Sequence, residues 1–90
     1  MEFEWDRLKA ESNAKKHGVT FYLAREAFLD LNNFEYADEY PFEMRTVLLG
    51  MVDGVILYII YADRPPNIRL ISARKADRHE QDIYYHRNAP

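Results

Sequence analysis

Polar and apolar positions alternate at the start of the chain, with Phe3 and Trp5 between Glu2, Glu4 and Asp6, which predicts a short strand with one buried face. Asp6 is suited to cap a helix over Arg7 to His17. Gly18 stands where a left-handed residue ends such a helix, and Val19 supplies the apolar contact that follows. Thr20 can cap a second helix, in which Phe21, Ala24, Phe28 and Leu31 recur at helical spacing; this helix should end near Asp30. A polar and aromatic connection follows to Glu43. A short strand near Phe34 to Tyr36 fits there, but Pro41 argues against a continuous central strand. The apolar runs RTVLLGMV and VILYIIYA flank Asp53-Gly54, a two-residue hairpin signal. The second run is apolar on both faces and so suits a central strand. The turn DRPPN then leads to a strand over Ile68 to Ala73. Asp77, with Glu80 three residues on, resembles a capping box opening a C-terminal helix.

The order is β-α-α-β-β-β-β-α. It predicts one α+β domain over residues 1–90: an antiparallel sheet flanked by two N-terminal helices and one C-terminal helix.

Composition narrows the chemistry. Hydrophobic residues make up 48% of the chain, enough for a packed core in 90 residues. Cysteine is absent, so disulfides, thiolate metal sites and thiol nucleophiles are excluded. The longest apolar run is too short to span a bilayer, and MEFEWDR does not resemble a targeting signal; a soluble, cytoplasmic chain with no membrane association is expected. The net charge of -3 divides unevenly, with -5 in residues 1–44 and +2 in residues 45–90. All basic residues of the second half except Lys75 are arginines, which suit fixed phosphate contacts.

RNA carries its own nucleophile in the 2′-hydroxyl. Its cleavage requires a base, cations around phosphorus and an acid for the leaving oxygen. His17 can move a proton near neutrality or can simply interact with the end of its helix. Glu80 can act as a base or as a cap, and Tyr84, one turn on, can reach a phosphate or seal the core edge. Arg69 and Arg74 are five positions apart, so in a regular strand they face opposite sides, and they converge only if the strand ends before Arg74. Arg45 and Arg64 are further candidates. The acidic stretch Glu35–Glu43 suits a solvated loop or a basic partner. His17, His79 and His86 have no familiar metal-ligand spacing, and no cofactor or metal is expected.

Two segments together resemble a known family. Phe3, Trp5, Asp6, Lys9, Asn13, Lys16, His17, Gly18, Val19 and Phe21 form a pattern similar to the N-terminal signature of the BrnT toxins. Glu43 and Arg45, the apolar hairpin, IRLISARKA (Ile68 to Ala76), Glu80 and Tyr84 extend the likeness over nearly the whole chain. The resemblance implies a RelE-like fold and a ribonuclease toxin of a type II toxin–antitoxin pair that arrests translation without a metal. It implies a BrnA-like antitoxin of ribbon-helix-helix type, a hetero-oligomer with that antitoxin, and contact with operator DNA only through it. Carried over by position, the active-site residues are His17, Arg64, Arg74, Glu80 and Tyr84, with Arg45, Arg69 and Lys16 as substrate contacts. The alternative is an inactive homologue that binds an antitoxin and adjusts transcription.

Overall fold

The structure, a computed structural model, describes residues 1–89. The first strand, β1, covers Glu2–Glu4, and Asp6 then caps helix α1, Arg7–His17, by accepting the Lys9 backbone N–H at 3.0 Å. Gly18 ends α1 in the left-handed region, with φ of 69°. Thr20 caps α2, Phe21–Ala24, which tightens into a 3₁₀ segment over Arg25–Leu29. The second helical element therefore runs almost to Asp30 as expected, but not as one α-helix.

Strands β2 (Phe34–Asp38), β3 (Arg45–Val52), β4 (Val55–Arg64) and β5 (Asn67–Lys75) form an antiparallel meander. Asp53 and Gly54 both have positive φ, 49° and 81°, as a primed hairpin turn requires. Helix α3, Arg78–Arg87, closes the described fold behind a complete capping box of Asp77 and Glu80. The sheet order is β1-β5-β4-β3-β2, with β4 central. β1 pairs parallel to β5, so the sheet is mixed, not wholly antiparallel. A parallel neighbour needs a long crossover, which the path from α1 through the meander supplies.

The helical segments and α3 divide the sheet's two faces. On one face, Phe21, Ala24, Ala27, Leu48, Leu57, Ile59, Leu70 and Ala73 form the main core beneath α1, α2 and the 3₁₀ segment. Gly50 permits the closest contact: a Cβ there would lie 2.6 Å from the Ala27 carbonyl oxygen. On the opposite face a smaller cluster, Val47, Leu49, Ile56, Ala76 and Tyr84, lies with α3. On the same face Tyr58, Arg69 and Arg74 keep partial exposure. No described helix is long and apolar enough to cross a membrane.

One irregularity shapes that second face. Leu70 lies opposite Tyr61, but Ser72 lies opposite Ile60, so Ile71 is an extra residue in β5. Such a bulge shifts the alternation by one. The strand continues through Lys75, yet Arg69 and Arg74 face the same way, opposite Ala62 and Tyr58. The two arginines thus share a face through a bulge, not through an early end to the strand.

Candidate active site

Arg74 and Glu80 meet where β5 hands over to α3. Arg74 Nη1 and Nη2 donate to Glu80 Oε1 and Oε2, each at 2.8 Å, in the bidentate geometry that arginine favours. Glu80 Oε1 also accepts the Asp77 backbone N–H at 2.8 Å, and Asp77 Oδ1 accepts the Glu80 backbone N–H at 2.8 Å. Glu80 is therefore both a cap and an arginine holder. Its hydrogen bonds hold the Arg74 proton more tightly than usual. The guanidinium lies 4.0 Å above the centroid of the Tyr58 ring. Burial raises the pKa of Tyr58 and of Tyr36, which lies on the same face, and Glu80 adds to both shifts.

A charged row crosses the sheet farther along. Asp38 is matched with Arg45 across β2 and β3, and Ala62, Arg69 and Glu4 are matched across β4, β5 and β1, each set one residue beyond the Thr46–Tyr61 pair that joins β3 to β4. Arg45 donates through Nε and Nη2 to Asp38 Oδ2 at 3.0 and 2.8 Å, and Arg69 Nη1 donates to Glu4 Oε2 at 2.7 Å. This row is four residues along β4 from Arg74, or about 13 Å at strand spacing. Arg64 lies beyond it, about 20 Å from Arg74 by the same spacing, and donates to Glu43 at 2.6 Å. Arg64 is therefore on the same rim as Arg45 and Arg69, apart from the Arg74–Glu80 pair.

On the other side of β5, α1 lies along the part of the strand that β1 leaves unpaired. Asn13 takes the place of a neighbouring strand. Its Nδ2 donates to the carbonyls of Ala73 at 2.8 Å and Val19 at 3.0 Å, and its Oδ1 accepts the Ala73 N–H at 3.2 Å. Beside this clamp is a groove of about 300 Å³ lined by Lys9, Ser12, Lys16, His17 and Ser72. Ser72 precedes Arg74 by two residues on the same face, about 7 Å along the strand. Lys16 and His17 thus flank one edge of β5 while Arg74 rises from its open face.

Tyr84 is placed differently from the other expected site residues. It is buried, and its hydroxyl donates to Asp30 Oδ2 at 2.6 Å. Burial and that hydrogen bond push its pKa up to about 12. Burial raises the Asp30 pKa, but Tyr84 and the backbone N–H groups of Met51 and Asn32 outweigh it, leaving Asp30 below the usual carboxylate range. Tyr84 thus ties α3 to the end of the 3₁₀ segment.

A family model for the ribonuclease toxin BrnT, of type II toxin–antitoxin systems, matches residues 5–80. The chain belongs to the BrnT family. The match begins at Trp5 and ends at Glu80, taking in the α1 groove and the Arg74–Glu80 pair; Tyr84 lies beyond it. At family level this BrnT protein is a ribonuclease toxin with an antitoxin partner. No curated protein matches it.

Tyr58, Tyr36, Asn13 and Asp30 lie against or support the candidate residues, although the sequence alone gave none of them such a part. Tyr58 alternates with the core residues Leu57 and Ile59, which was legible, but its pairing with Arg74 depends on the bulged register. Asn13 offered a stronger signal: a polar side chain in the middle of a short helix, between Ala10 and Ala14.

Proposed function

We propose that this BrnT protein is a metal-independent endoribonuclease whose active site straddles β5, with Arg74 on one side and His17 on the other. The observation that carries this reading is the bulge at Ile71, which aligns Ser72 and Arg74 with Arg69 on one open face while α1 brings Lys16 and His17 to the adjoining edge. In the proposed step the RNA 2′-oxygen bonds to phosphorus and its proton passes to His17. The bond from phosphorus to the 5′-oxygen breaks, and that oxygen takes a proton from water, leaving a 2′,3′-cyclic phosphate and a 5′-hydroxyl. Arg74 and Lys16 offset the charge that builds on phosphorus.

Glu80 acts through Arg74, fixing the guanidinium plane, and Tyr58 supports it from below. Arg45 and Arg69, with Arg64 at the rim, contact phosphates farther along the strand. Tyr84 positions α3, and with it Glu80. The biological reading is inhibition of translation by RNA cleavage in the cytoplasm, neutralised by a BrnA-like ribbon-helix-helix antitoxin that alone contacts operator DNA.

The experiment is cleavage of total RNA in chelator by the purified protein and by His17→Ala, with the end groups identified. Cyclic phosphate ends from the parent, and a rate lowered about 100-fold or more in the variant, are expected for loss of general acid–base catalysis. Undiminished cleavage by His17→Ala contradicts the role of that residue, and cleavage that stops in chelator contradicts metal independence.

A further inference from the structure

We propose that the groove between α1 and the edge of β5 is a track for the phosphates of single-stranded RNA, contacted by Lys9, Ser12 and Lys16 as the strand leaves the cleavage point. The inference rests on the ribonuclease reading and assigns a substrate-binding role to Lys9 and Ser12.

The cations of the open sheet face are already satisfied. Each arginine of the open sheet face has a carboxylate close by: Arg45 with Asp38 at 2.8 Å, Arg64 with Glu43 at 2.6 Å, Arg69 with Glu4 at 2.7 Å and Arg74 with Glu80 at 2.8 Å. Such pairs orient a guanidinium but nearly cancel its charge at a distance. Affinity for a phosphate chain comes mainly from cations that displace the counterions around it. The paired arginines supply little of that, and the chain as a whole carries -3.

The groove differs. Among the described residues, Lys9, Lys16 and His17 form no ion pair, and no acidic side chain lines the groove. The nearby carboxylate of Asp6 is engaged by the Lys9 backbone N–H at 3.0 Å, in the cap of α1. Positions 9, 12 and 16 fall on one helix face. Lys9 and Lys16 are seven residues apart, about 10 Å along the axis, so they are spaced to meet different phosphates. Ser12 offers a hydroxyl between them, and Ser72 continues the polar lining toward Arg74. The Asn13–Ala73 clamp fixes the helix against the strand, which keeps the two sides of the groove in register.

The test is binding of a fluorescent oligoribonucleotide carrying 2′-O-methyl groups, which cannot be cleaved through the 2′-oxygen, over a range of salt concentrations. Each single-strand phosphate contact contributes about 0.7 to the slope of log affinity against log salt. Lys9→Gln should lower that slope by about 0.7 and Lys9→Gln with Lys16→Gln by about twice as much. Lys15→Gln, which removes the same charge from α1 outside the groove, should leave the slope unchanged. Equal effects of Lys9→Gln and Lys15→Gln, no effect of either, no binding of the oligonucleotide, or a groove that takes only an acidic peptide would each overturn the track. Cleavage of unmodified RNA is read separately. Binding with the expected slopes but no cleavage overturns the ribonuclease reading and leaves the track standing; cleavage with unaltered slopes does the reverse.

Discussion

Asn13 holds both backbone groups of Ala73, accepting its N–H at 3.2 Å and donating to its carbonyl at 2.8 Å. One buried amide thus completes the ladder of β5 on the edge opposite β4, which β1 leaves unpaired at that point. It also sets the distance between the two sides of the proposed site. Asn13→Ala removes the partner of three buried backbone groups, the Ala73 N–H, the Ala73 carbonyl and the Val19 carbonyl. A loss of about 2–4 kcal/mol is expected, since each unsatisfied group costs about 1–3 kcal/mol. Urea unfolding measures it; a loss below about 0.5 kcal/mol contradicts the clamp.

Gly50 is expected to tolerate no side chain. Its Cβ would meet the Ala27 carbonyl oxygen at 2.6 Å and the Ala27 Cβ at 2.9 Å, and the carbonyl belongs to backbone that cannot turn aside as a side chain can. Gly50→Ala should destabilise the fold by about 1–3 kcal/mol through overpacking. An unchanged urea midpoint would show that the 3₁₀ segment moves away freely.

The Asp30–Tyr84 bond gives stability a dependence on pH at both ends of the scale. Tyr84 is raised from about 10 in the unfolded chain to about 12, so the unfolded state loses its proton first. Stability therefore falls as pH rises from 10 to about 12. Asp30 is lowered, so its contribution is present above the unfolded value and is lost as pH falls through the lower folded one. Tyr84→Phe should flatten the alkaline decline and weaken the acid one, as read by melting temperature against pH. A variant with the parent's profile contradicts the assignment.

Glu80 is expected to matter more than a surface partner. Glu80→Gln replaces a buried carboxylate that serves Arg74 and the Asp77 N–H together. It should lower stability by about 1–3 kcal/mol, with α3 fraying first. Hydrogen exchange at the start of α3 checks this; exchange matching the parent's contradicts the dual role.

The elements were largely legible because each carries a local signal: Asp6 and Gly18 bound α1, Asp53-Gly54 turns the hairpin, and Asp77 with Glu80 opens α3. The parallel seat of β1 was not legible, because it joins residues more than sixty positions apart and no local pattern records the partner. The site was legible as a set of residue types but not as an arrangement. Period-two alternation placed Arg69 and Arg74 on opposite faces, and only the bulge at Ile71 reverses that. For Tyr84 the sequence leaves open a hydroxyl reaching a phosphate or a ring sealing the core edge; the ring is buried, and the hydroxyl bonds to Asp30, fifty-four residues earlier, a partner no local pattern records.

In the proposed reaction Arg74 works on RNA from the face of β5, held by Glu80. The direct measurement is RNA cleavage in chelator by the parent and by Arg74→Gln made together with Glu80→Gln, which leaves a neutral hydrogen-bonded pair and no unpaired buried charge. With the double variant shown to be folded by its urea transition, cleavage should fall by about 100-fold or more, the scale of losing one preorganised contact to a developing charge. Parental rates from a folded double variant would contradict the account and move the chemistry away from this face.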